Sequence, residues 1–274
     1  MLTLGKTAPL FLLLTVLAAA QTDPAAGQKQ QQDLERRERR ETQKIDQAEE
    51  QERIKLRTRE RDELAKVQRE GTVAAGTATA AVIATGSLMA ADMTKFAQLK
   101  FAEDEVRNLI QNQLTPEMTA RFQRERNAVS RKFTLERAKL DAQQITEGED
   151  AAKQRDRAVK TAELSAKFQE QTDDLAVEQA GEEAKLRFAH TTKINAAERD
   201  LAALTGKHLM EQTQKGSAAA YNPAADPEFT KLSAVRDAVR SALETALDEL
   251  RAKFNARRTD VDNAKEDEMA KLNG

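Results

Sequence analysis

The sequence predicts an all-α protein whose long helices form either an extended coiled coil or an antiparallel helical bundle with an 11-residue apolar spacing. Three observations carry that expectation. Charged residues make up 33% of the chain and aromatic residues only 4%, a mixture that favours long helices over a sheet-containing core. Large apolar residues recur every 11 positions in separate segments, which is three turns at about 3.67 residues per turn. Glycine and proline are few, ten and five in 274 residues, so breaks are few and well marked.

The first 20 residues read as a signal peptide. Lys6 supplies the positive start, residues 10–17 an apolar core, and Ala18, Ala19 and Ala20 the small residues for cleavage before Gln21. The apolar run of about 11 residues is too short to span a bilayer. This predicts an exported protein, periplasmic or extracellular, with membrane association left open. The absence of cysteine rules out a disulfide framework and thiolate metal sites and suits a bacterial periplasmic or surface setting. Residues 21–27, with Pro24 and Gly27, read as a flexible lead-in.

Residues 28–114 read as a charged helix with one uncharged insert. Leu34, Ile45, Leu56 and Val67 form an 11-residue column, too narrow for a globular helix face and suited to a seam. Glu35–Arg39 and Glu49–Arg53 are i,i+4 pairs, and the charges in general are assigned to a solvated face. In the next segment, 115–215, the same spacing links Met118, Val129 and Leu140, Phe122 and Phe133, and Leu164, Leu175, Leu186 and Ala197. Thr115-Pro116-Glu117 has the chemistry of a helix start. A hairpin placed there lays residues 71–91 against residues 138–158. Thr146 and Glu149 flank Gly148 as a capping box and make it a candidate break, with Gly181 and Gly206 as further ones. Unbroken, the segment would run about 150 Å.

Residues 216–226 read as a loop, from Gly216 through Asn222-Pro223, and Asp226-Pro227-Glu228 opens the last helix, 227–274. That helix has the fullest stripe: Leu232, Val235, Val239, Leu243, Leu247, Leu250 and Phe254. Val261 and Leu272 continue one of its columns.

Residues 71–91 hold no charge and as a helix would cover about 31 Å, close to a hydrocarbon core. Their composition is mostly Ala, Gly, Thr and Ser. Gly76, Ala80 and Ala84 form one small-residue column and Gly86 with Ala90 another, while Val82, Ile83 and Leu88 are among the few larger apolar groups. These eight residues are the candidate site, read first as a helix-packing surface within a bundle or oligomer, next as a membrane segment, and last as a linker.

No catalytic, cofactor-binding or metal-binding residue is expected. His190 and His208 would lie about 27 Å apart on one helix, too far to share a metal. No phosphate-binding loop, nucleophile elbow or zinc motif is present. A net charge of −2 removes the simple electrostatic case for nucleic acid, and no small-molecule substrate is indicated. The expectation is an exported, non-enzymatic coiled-coil protein serving as a scaffold, spacer or protein-binding element of the cell envelope, with partners or copies of itself engaged through helices. The alternative is a membrane-active or membrane-anchored protein that inserts residues 71–91 as a pore-former would.

Overall fold

The computed structural model describes residues 24–82, 88–145, 150–214 and 222–273. Described residues form five α-helices: α1 (Pro24–Val82), α2 (Leu88–Asn108), α3 (Thr115–Gln143), α4 (Ala151–Gln214) and α5 (Pro227–Asn273). A π-helical segment, Leu109–Leu114, joins α2 to α3, and a 3-10 turn, Pro223–Ala225, precedes α5. There is no strand among them. The signal-peptide reading of residues 1–20 lies outside the described residues.

The chain runs back and forth. α1 packs antiparallel on α2 and α3, that rod packs antiparallel on α4, and α4 packs antiparallel on α5. Cross-helix partners fix each register: Glu41 with Lys132 and Glu52 with Arg121, Arg124 with Asp174, and Glu178 with Arg257. With α2 and α3 taken as one rod, each rod thus leans on its chain neighbours. With 59 residues in α1 and 64 in α4, the array is about 90 Å long.

The 11-residue columns are the seams. Leu34 is buried and Ile45, Leu56 and Val67 half-buried on α1. On α3, Met118, Phe122 and Phe133 are buried; on α4, Leu175 and Ala197; on α5, Leu250 and Phe254. Phe133 and Phe254 are wholly enclosed, and long basic side chains cover their rings. Arg37 and Lys132 stand 5.6 and 5.0 Å from the Phe133 centroid, Lys253 and Arg257 5.3 and 5.1 Å from that of Phe254. Alkyl stems thus substitute for the second layer of apolar residues that the sequence lacks. Val235 departs from the expected stripe and is 48% exposed.

Ion pairs follow the same period. Glu41 and Glu52 are 11 apart, and so are their partners Lys132 and Arg121. Glu38–Arg137 and Glu49–Arg126 form a second such set, and Lys167–Glu268 and Glu178–Arg257 a third on α4 and α5. Three turns on each of two nearly straight helices bring the same pair of faces together again. Several charges read as solvated are therefore seam residues, because α3 offers α1 a row of cations to meet them.

The turns differ from the expectation in one important place. The chain does not reverse at residues 114–116. Thr115 is helical (φ −66°, ψ −47°) and donates its N–H to the carbonyl of Ile110, an i→i−5 bond. Pro116 lacks an N–H and would crowd the preceding turn of an α-helix; the wider π turn accommodates it without ending the helix. The reversal lies between Val82 and Leu88 instead. Consequently residues 138–158 are not the partner of residues 71–91.

Near Gly148, α3 ends at Gln143 and α4 starts at Ala151, and the two are antiparallel. No break occurs at Gly181 or Gly206, both inside α4. Residues 24–27 of the expected lead-in belong to α1, and the rest of it lies outside the described residues. Asp226 caps α5 through Oδ1, accepting from the N–H groups of Glu228 (2.8 Å) and Phe229 (3.3 Å). Its Oδ2 meets His208 Nε2 at 2.8 Å, which ties the end of α4 to the start of α5.

Candidate functional site

Of the eight residues singled out in the uncharged stretch, five lie on the two helix ends that meet at the first hairpin. Gly76, Ala80 and Val82 belong to the end of α1, and Leu88 and Ala90 to the start of α2. Ile83, Ala84 and Gly86 lie outside the described residues. The described part of the stretch therefore lies on the facing ends of α1 and α2, at one end of the array. Among the described residues no helix is long and apolar enough to cross a membrane.

Buried polar groups elsewhere mark the places that sequence reading missed. Asp173 on α4 is 5% exposed. It pairs with Arg131 of α3 and accepts hydrogen bonds from Asn127 Nδ2 (2.8 Å) and Gln169 Nε2 (3.2 Å). Arg124 and Asp174 form a 2.7 Å pair beside it. Asn108, also buried, stands where the π segment begins; it donates to the carbonyl of Phe188 and to Thr192 Oγ1, both at 3.2 Å, and accepts from Asn112 at 2.8 Å. Acids and amides are common throughout the chain, and nothing in their spacing distinguishes these from their exposed neighbours. Pro116 was the one local clue to an irregular turn.

Glu49, 4% exposed, is the acid of the α1–α3 seam with the most partners. It pairs with Arg126, which also holds Asp46 at 3.0 Å, and with Arg53 at 2.6 Å. Burial pushes its carboxyl up, but the guanidinium hydrogen bonds of Arg126 and Arg53 outweigh that and hold it below the usual carboxylate range. A depressed folded value means that the unfolded chain takes up the proton first. The stabilisation is therefore complete above the unfolded value of about 4.3 and is lost as pH falls through the folded one. Glu49→Gln should lower stability at neutral pH by about 1.5–3 kcal/mol, the usual worth of a hydrogen bond to a charged group. It should also flatten the acid limb of a melting-temperature profile below about pH 4. A variant whose acid limb keeps the parent's slope would remove Glu49 from that role.

Open grooves follow the seams. The most apolar of those described lies between α3 and α4, about 500 Å³, with Thr119, Ala120, Ala176, Val177 and Ala180 in its walls. Others of about 410 and 430 Å³ lie along α1–α3 and α4–α5. None of these three is lined by a histidine. His190 faces the carbonyl of Val239 at 3.4 Å, and His208 holds Asp226. No cluster of three or more His, Asp or Glu side chains that could hold a metal occurs among the described residues. Among the described residues, matched charges and enclosed aromatic rings fasten helix to helix along the seams. No protein-family model, curated protein or solved structure matches the chain.

Proposed function

We propose that the protein is a non-enzymatic helical scaffold or spacer, exported to the cell envelope, that engages protein partners through helix faces. The observation that carries this reading is the charge-and-aromatic seam that repeats every 11 residues and holds antiparallel helices together over about 90 Å. A seam of that kind gives length and stiffness from a composition too poor in apolar residues for a thick core. Its grooves are shallow seams between rods, a form suited to another helix rather than to a small substrate.

Small-angle X-ray scattering of the chain from Gln21 tests the proposal. An elongated particle is expected, with a radius of gyration of about 30 Å from the helix lengths, against about 18 Å for a compact globule of this size. The compact value would overturn the spacer role. Flotation with liposomes tests the membrane-inserting alternative: wild-type protein that floats, while Val82→Asp with Ile83→Asp does not, would replace the scaffold reading with that one.

A further inference from the structure

The two outer helices of the array carry opposite free charge, and we infer that copies of this protein join edge to edge, α1 of one against α5 of the next. Taken whole, α1 and α5 each hold nearly equal numbers of acids and bases, so sequence alone shows no polarity. The fold creates it by using up mainly one sign on each inner seam, with Arg37–Glu136 and Lys167–Glu268 as the pairs of reverse sense.

On α1 the acids are consumed. Glu38, Glu41, Asp46, Glu49 and Glu52 all pair with Arg137, Lys132, Arg126 or Arg121 of α3. Arg40, Lys44, Lys55, Arg57 and Arg59 are exposed and outside every ion pair among the described residues, with only Glu50 and Glu70 as exposed, unpaired acids. On α5 the bases are consumed. Arg240, Arg251, Lys253 and Arg257 reach Glu198, Glu183, Glu182 and Glu178 of α4. Glu244, Glu249, Asp260, Asp262, Glu266 and Asp267 are left exposed and unpaired, against Lys231 and Lys271 of opposite sign.

The levels agree as well as the signs. Glu38 with Arg137, Lys139 with Glu163, and Lys167 with Glu268 mark one level across the array to within about a turn. Glu49 with Arg126, Arg124 with Asp174, and Glu178 with Arg257 mark a second. Arg40 and Lys44 lie between these levels on one edge; Asp260, Asp262, Glu266 and Asp267 lie between them on the other. A neighbouring copy set alongside without axial slip therefore faces cations with acids. The up-and-down alternation also continues, because α1 and α5 run in opposite directions. Such a contact uses two different surfaces and leaves both outer edges free for further copies, so it builds a ring or a ribbon rather than a closed two-fold dimer. Complementary potentials of this kind select partner and register and weaken with salt.

The contact rests on the helical array, and the inference deepens the scaffold role by naming its partner as a second copy. Sedimentation velocity over a concentration series tests it at about 0.05 M and about 0.5 M salt. The set comprises the wild type, an α1 reversal (Arg40→Glu, Lys44→Glu), an α5 reversal (Asp262→Lys, Glu266→Lys) and the chain carrying both. All four positions are exposed, and circular dichroism verifies that helicity is kept. Wild-type mass should rise with concentration at low salt and fall at high salt. Each reversal alone should weaken association at least about 10-fold. The double reversal should restore it, and so should mixing the two single reversals. Concentration-independent monomer at low salt overturns the inference, as do reversals without effect. Rescue in the double reversal but not on mixing would assign the edges to each other within one chain and overturn it equally. A monomer that scatters as an elongated particle defeats self-assembly alone; a compact one defeats the scaffold reading.

Discussion

Phe254→Ala is expected to cost about 3–5 kcal/mol, the usual range for removing an enclosed phenylalanine. The ring is fully enclosed and belongs to the cluster with Leu175 and Leu250, against which Leu186 and Val261 also pack. Val235→Ala on the same helix is the control: it is 48% exposed and should change stability by no more than about 0.5 kcal/mol. The architecture also dictates how the loss is distributed. Because α5 packs chiefly on α4, it can part from α4 without disturbing the α1–α3 seam. Hydrogen exchange of Phe254→Ala should therefore rise along α5 and the facing side of α4 while amides around Phe133 stay protected. Uniform acceleration through all helices would show that the array unfolds as one unit.

Removal of Asp173 is the second large effect. Asp173→Leu takes from the Arg131 guanidinium, 13% exposed, its buried carboxylate, leaving it only the exposed Glu170 at 3.9 Å, and strands the amides of Asn127 and Gln169. Breaking one side of a buried pair in this way costs about 3–5 kcal/mol, largely because the remaining charge is left without a buried partner. Replacing both members should cost much less, since two apolar side chains in that space need no partner. The double-mutant cycle of Asp173→Leu with Arg131→Met, followed by denaturant unfolding, measures the coupling. A double variant as unstable as Asp173→Leu alone would mean that Arg131 is not the group left in need. The pairing across α3 and α4 would then be incidental to stability.

The helix class, the 11-residue columns and the start of α5 were legible in the sequence because each depends on local chemistry or on simple periodicity. Asp226-Pro227-Glu228 carries its own cap, and Phe122 and Phe133 or Leu175 and Leu186 declare a face by spacing alone. Tertiary structure decided the rest. Thr115-Pro116-Glu117 has every local mark of a helix start, yet a π turn bonded from Thr115 to Ile110 carries the helix through it, so the first hairpin reverses between Val82 and Leu88 instead. Where a rod folds back is settled by which long faces match, and local turn residues only permit it. The polarity of the two edges is likewise invisible in a balanced count of charges. It arises when α3 takes mainly the acids of α1 and α4 mainly the bases of α5, because pairing on one face leaves the opposite sign on the other.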